Sequence, residues 1–132
     1  MAGLNIRVDL FSGGLLSNPL KIVRSVTESA SGKVIQGALT ITETSGSPNT
    51  ILEKADYTDS EEAVYLLIIN TTKTAGKYIY VDVGSQDTLK IGPEGIALFP
   101  WYVDNTDGGD ISVWSNDAVT GVNVEFTAVE LT

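Results

Sequence analysis

Three carboxylates fall within seven residues at Asp104-Asn-Thr-Asp107-Gly-Gly-Asp110, and clustered carboxylate oxygens are the ligands that hard cations such as calcium prefer. The spacing is not that of an EF-hand loop. Asp-Gly turn chemistry accounts for the same residues as a hairpin loop, so a turn is expected, with cation binding by Asp104, Asp107 and Asp110 as the alternative. Paired acids, Glu61 with Glu62 and Glu125 with Glu130, could flank a glycosidic bond in a hydrolase. Their surroundings read as loop and solvated sheet face, with nothing to raise a carboxyl pKa. The chain has no His and no Cys, which removes the usual general base near neutral pH, the commonest metal ligand and the thiolate nucleophile. Ser and Thr are plentiful but lack a base to activate them. The expectation is a protein without catalysis and without a cofactor.

The aromatic residues are the stronger lead. Phe99-Pro-Trp-Tyr102 closes one apolar run, Trp114 sits in the next, and Tyr78 and Tyr80 alternate on a third. Tyr78, Tyr80, Trp101, Tyr102 and Trp114 could form one stacking surface for a sugar ring or a partner protein. Large aromatics are mostly buried, however, and the favoured reading places Trp101 and Trp114 at the ends of a core.

The elements that must position these residues are strands. Ala63–Ile69, Lys77–Val83, Thr88–Ile91 leading into Ile96–Phe99, Asp110–Trp114 and Val122–Leu131 are short runs rich in β-branched and aromatic residues, punctuated by Gly-Ser, Gly-Pro-Glu-Gly and Asp-Gly-Gly-Asp. That is the pattern of antiparallel strands with tight connections. Ala63–Ile69 is apolar on both parities and reads as a central strand covered on both faces. Lys77–Val83 alternates Ile79, Val81 and Val83 against Tyr78, Tyr80 and Asp82, giving one wetter, aromatic face. In the last run the apolar parity changes near Thr127–Ala128, which predicts a β-bulge there.

The first half is looser. Leu4, Ile6, Val8 and Leu10 share one parity of a half-buried strand, Phe11–Pro19 breaks it, and strands over Leu20–Thr27 and Lys33–Thr42 are separated by a turn at Glu28–Gly32. Thr44–Asn49 reads as loop, and the acidic connector Ala55–Glu62 could carry a helical turn. The expectation is one antiparallel β-sandwich over residues 1–132 with eight to ten strands and an N-terminal strand or arm in residues 1–19. Its predicted core contains Ile6, Val8, Leu39, Leu66, Ile68, Ile79, Val81, Leu98, Phe99, Val113, Val124 and Phe126. Gly95 is expected to supply a positive φ in the Gly92-Pro-Glu-Gly95 turn.

At 132 residues the chain can bury roughly two thirds of its unfolded surface without staples. Its formal charge of −9, from 17 acidic and 8 basic residues, repels phosphate backbones and anionic lipid, so neither nucleic acid nor membrane is an expected partner. The start of the chain lacks a secretory pattern, and the longest apolar run is far short of the roughly 20 residues of a spanning helix. A soluble protein made in a cytoplasm is expected.

Tyr65-Leu-Leu-Ile-Ile-Asn70, Ile79-Tyr-Val-Asp-Val-Gly84, the Gly92-Pro-Glu-Gly95 turn before Ala97-Leu-Phe99 and Trp101, Asp110-Ile-Ser-Val-Trp114 and Val124-Glu-Phe126 together resemble a strand order found in small structural proteins of tailed bacteriophages. The resemblance covers about residues 61–131 and carries no catalytic residue. It implies a jelly-roll-like β-sandwich in the virion, a decoration or cement protein bound to major capsid protein subunits as a homo-oligomer and synthesised in the host bacterial cytoplasm. Neck or tail attachment is the neighbouring implication. A carbohydrate- or receptor-binding tail module is the competing function. Exposed, coplanar Trp101, Trp114 and Tyr80 would favour that module, while buried tryptophans and an apolar patch fed by the first half would favour cementing.

Overall fold

The computed structural model of the protein describes residues 2–12, 20–57, 63–84, 87–102 and 109–131. Among these, nine strands appear in chain order: β1 (Ala2–Ser12), β2 (Leu20–Ile41), β3 (Asn49–Leu52), β4 (Ala63–Asn70), β5 (Ile79–Val83), β6 (Asp87–Ile91), β7 (Ile96–Tyr102), β8 (Ile111–Ser115) and β9 (Val122–Leu131). The one 3₁₀ turn among the described residues, Lys54–Asp56, overlaps the acidic connector only at Ala55 and Asp56; residues 58–62 of the connector lie outside the described residues.

Every pairing is antiparallel. One sheet has the order β1-β2-β9-β4-β7 and the other β3-β8-β5-β6. The pairs are nested, with β5/β6 innermost, then β4/β7, then β3/β8, and β2/β9 outermost. Buried residues from both sheets form one cluster, led by Ile41, Leu66 and Ile68 from the first sheet and Ile79, Val81 and Ile111 from the second. Two polar residues within it tie the sheets together. Asn70, fully buried at the end of β4, donates from Nδ2 to the carbonyls of Lys77 (3.0 Å) and Ile91 (3.2 Å), and its Oδ1 accepts from Thr72 N. Ser115, at the end of β8, donates from Oγ to the carbonyl of Ile41 on β2 at 2.8 Å. Buried polar atoms must be paired, so these bonds fix how the strand ends meet.

Strand parity decides the core. Leu66, Ile68, Ile79, Val81, Val113, Val124 and Phe126 are buried as expected. Leu98 is not: it pairs with Leu67 on the outward parity, while its neighbour Phe99 pairs with Leu66 and packs against the core. Adjacent residues of one strand point to opposite faces, so both could not be core. Ile6 and Val8 also leave the core, because β1 pairs only with the first half of β2 and faces no opposing sheet. Leu39 pairs with core residue Val124 yet is exposed, because its level of β2 is the margin of the sheet. In their place the core takes Ile41, Leu52, Val64, Ile91, Trp101, Ile111, Val122 and Ala128.

Two further expectations are corrected. Glu28–Gly32 is not a turn; β2 runs through it as one strand and there changes partner, from β1 (residues 20–30) to β9 (residues 30–41). The register shift lies between Ala30 and Val34 of β2, whereas β9 stays in continuous register with β4 across Thr127 and Ala128. The irregularity inferred for β9 therefore belongs to the strand beside it.

Candidate functional site

The aromatic residues separate onto different parts of the fold. On the outer face of β5 and β8, Tyr80 and Trp114 are directly opposite in register, and their rings stack at 3.9 Å between centroids and 6° between planes. Lys90 on neighbouring β6 places its ammonium 4.0 Å from the Tyr78 ring centroid and 5.8 Å from that of Tyr80, a cation–π arrangement. Asp82 completes the cluster. Its Oδ2 accepts from Trp114 Nε1 at 3.0 Å and its Oδ1 from Thr88 Oγ1 at 2.7 Å. The indole N–H is thus committed to one carboxylate oxygen and the Thr88 hydroxyl to the other.

Trp101 lies in the core of the other sheet, edge-on to Tyr57 with centroids 5.6 Å apart and planes at 86°. The expectation of a core tryptophan holds for Trp101 and fails for Trp114, which is half-buried on an outer face because its parity in β8 is opposite to that of Val113. Of the five residues singled out, Tyr78, Tyr80 and Trp114 come together and Trp101 does not join them. The side chain of Tyr102 is outside the described residues.

Burial pushes the Tyr57 hydroxyl up to about 12, with the charges of Glu130 and Asp56 adding to the effect. Lys33 lies over the Tyr57 ring, its ammonium 4.3 Å from the centroid, and also donates to the Asp56 carbonyl. At the far end of β8, the Lys77 ammonium, the Thr120 hydroxyl and the N–H groups of Val119 and Thr120 hold the Asp117 carboxyl well below the usual carboxylate range. This is a turn lock between two connections.

Of the candidate acids in the Asp104–Asp110 segment, Asp110 serves the fold. Asp110 Oδ1 accepts from Lys54 N at 2.8 Å and its carbonyl accepts from Gly84 N at 3.0 Å, which pins the β3–β4 connection against β8; Asp104, Asp107, Glu61 and Glu62 lie outside the described residues. No group of three His, Cys, Asp or Glu side chains arranged to hold a metal occurs among the described residues. Glu125 and Glu130 occupy opposite parities of β9, opposite Ile69 and Val64 of β4 respectively, so they face away from each other across the sheet and cannot flank one bond.

A second surface was not anticipated in this form. The residues of β4 that point away from the core, Tyr65 and Leu67, together with Ile96 and Leu98 of β7 and Val129 of β9, form the apolar floor of a groove of about 740 Å³. Its wall is β1, from Leu4 through Asp9. Ala63–Ile69 is a central strand as its two-sided apolarity predicts, but its second face is not covered: Tyr65 and Leu67 look into the groove. Val8, Val23 and Val26 on the β1/β2 ribbon remain 37–42 % exposed. No helix among the described residues is long and apolar enough to cross a membrane.

No known protein family, curated protein or solved structure matches the chain.

Proposed function

We propose that the protein is a non-enzymatic virion component, a capsid decoration or cement protein that adds buried surface between larger shell subunits. The observation that carries this reading is the N-terminal ribbon. Eleven continuous pairs join β1 to the first half of β2, and the ribbon keeps Val8, Val23 and Val26 in solvent beside an apolar groove. Two-stranded ribbons are marginal in water by themselves, and exposed apolar surface of this kind marks interaction sites. An arm that gains packing by lying against neighbours suits a protein repeated over a shell, where symmetry multiplies a modest interface.

The nested pairing β2/β9, β3/β8, β4/β7 and β5/β6 across two sheets supports the further reading of the fold as a jelly-roll-like sandwich with β1 added at one edge. The competing reading, a glycan-binding module, needs an open aromatic face. Tyr80 and Trp114 turn their faces to each other, Lys90 lies over Tyr78 and Tyr80, and Trp101 is buried, so the arrangement favours cementing.

The test mixes purified protein, and a variant lacking residues 1–12, with undecorated cognate capsids and measures co-sedimentation and the temperature at which heated particles release DNA. Full-length protein is expected to bind and raise that temperature, and the truncated protein to stay in the supernatant. Full-length protein that ignores capsids but is retained on immobilised glycans would replace this reading with the receptor-binding one.

A further inference from the structure

β1 and β7 are the outermost strands of one sheet and β3 and β6 of the other, and each half of β2 also has one open side, since residues 20–30 pair with β1 and residues 30–41 with β9. Edge strands expose unpaired backbone groups, and proteins blunt them with prolines, bulges, lysines or shortness. All of these but β1 carry such a device. β2 has a register shift between Ala30 and Val34 and carries Lys21 and Lys33, β7 contains Pro100, β3 has four residues and a register irregularity at Ile51, and β6 has five residues including Lys90. β1 is different. It has eleven residues, no proline and an unbroken register with β2, and its two charges cancel locally, with Arg7 Nε 3.0 Å from Asp9 Oδ2. No described strand pairs with its outer edge. Consecutive residues of both parities, Leu4 through Asp9, border the groove, so the strand presents its edge to open space.

From this edge we infer that β1 pairs antiparallel with β1 of a second copy, Val8 opposite Val8, to form a two-fold dimer through a shared sheet. The register follows from the sequence of the strand. Centring on Val8 sets Arg7 opposite Asp9 of the second copy, and Asp9 opposite its Arg7, with Ile6 opposite Leu10 on the apolar parity. Centring on Arg7 or on Asp9 places like charges directly opposite, which destabilises a pair. A shift by one residue sets the apolar parity of one copy against the polar parity of the other. An isologous contact of this kind closes at two copies.

Charge points to the same surface. The strand segments of the ribbon, residues 2–12 and 20–30, hold three basic residues (Arg7, Lys21, Arg24) and two acidic ones (Asp9, Glu28), a net of +1 in a chain of net −9. The ribbon is therefore where two copies meet with least repulsion. This dimer deepens the oligomeric part of the proposal above and does not depend on capsid binding, since it is read in purified protein alone.

The test is sedimentation equilibrium at low ionic strength on wild type, Arg7→Asp, Asp9→Arg and an equimolar mixture of the two variants. Wild type is expected to dimerise. Each variant alone, with like charges facing across the two-fold, should dissociate at concentrations roughly tenfold or more higher. In the mixture, Asp residues of one variant face Arg residues of the other at both positions, so a heterodimer of wild-type strength is expected. Recovery in the mixture also shows that both variants are folded. Hydrogen exchange of wild type should show the β1 amides directed away from β2 protected in concentrated and unprotected in dilute solution. Wild type that remains monomeric up to roughly 1 mM, a mixture no tighter than its components, or protection of the outward β1 amides that does not depend on concentration each overturns the inference.

Discussion

Gly37 and Phe126 are directly opposite in the β2–β9 pair, and the ring occupies the place where a side chain on Gly37 would stand: a Cβ there would lie 2.5 Å from Phe126 Cε1 and 2.7 Å from Cζ. The glycine is what lets a full aromatic ring close the β2 side of the core, where Phe126 is only 8 % exposed.

Gly37→Ala should therefore lower stability by about 1–3 kcal/mol, the usual cost of forcing an extra carbon into a packed site, or about 4–10 °C in Tm for a chain of this size. Phe126→Leu vacates the same space. The double variant should be more stable than the sum of the single effects predicts, with a coupling of about 1 kcal/mol or more. Strict additivity in the four melting curves would show that the two residues do not compete for space.

Tyr57 sets an alkaline limit. Its hydroxyl is raised from 10.0 to about 12 by burial first and by Glu130 and Asp56 next, so the folded state holds this proton more tightly than the unfolded state. The contribution is complete below pH 10 and declines between roughly pH 10 and 12, by about 2–3 kcal/mol in total. Tyr57→Phe should lose that share of the alkaline decline. Denaturant midpoints of both proteins from pH 8 to 12 check this, and parallel curves would contradict it. Near pH 7 the variant should be at least as stable as wild type, because the buried hydroxyl has no hydrogen-bond partner among the described residues and an unpaired buried hydroxyl costs stability.

Asn70 uses both N–H groups and its carbonyl at the meeting point of the two sheets. Asn70→Leu orphans the Lys77 and Ile91 carbonyls, at about 1–3 kcal/mol each. Asn70→Asp should be worse at neutral pH, since a buried carboxylate would face two carbonyl oxygens. Equilibrium unfolding is expected to rank wild type above Leu above Asp. An Asp variant as stable as wild type would mean that the site is open to water.

The strands and their parities were legible because alternation is a local signal: β4, β5, β7 and β9 fall where their apolar runs stand, and the inward set Ile79, Val81 and Val83 separates from Tyr78, Tyr80 and Asp82 as written. Partner choice was not legible. Ser29-Ala-Ser-Gly32 has turn composition, but a strand that exchanges β1 for β9 needs the same small residues to shift register, and the two cases look alike in one chain. The fate of Ile6 and Val8 was hidden for the same reason: their alternation is that of a covered strand, while β1 pairs with the first half of β2, away from the strands that carry the core. Trp101 and Trp114 differ only by their parity relative to the core, which depends on register across the sheets.

The Gly92-Pro-Glu-Gly95 turn separates conformation from space. The positive φ expected of Gly95 belongs to Glu94, at 58°, following Pro93 and closed by the bond from Gly95 N to the Gly92 carbonyl at 2.9 Å. Gly95 is required for a different reason: a Cβ would stand 2.8 Å from the Gly92 carbonyl oxygen and 2.9 Å from Ile91 Cγ2. Glu94→Gly should then raise stability by about 0.5–1 kcal/mol through relief of a left-handed residue, an effect partly offset by the greater freedom of glycine in the unfolded chain. Glu94→Val, β-branched at positive φ, should lower it by about 1–2 kcal/mol. Gly95→Ala should also lower it, by steric overlap alone, and Glu94→Gly should not rescue that loss. Thermal melts of wild type, the three single variants and the Glu94→Gly/Gly95→Ala double variant decide the assignment. A gain from Glu94→Gly that cancels the Gly95→Ala loss would put both residues under one backbone constraint.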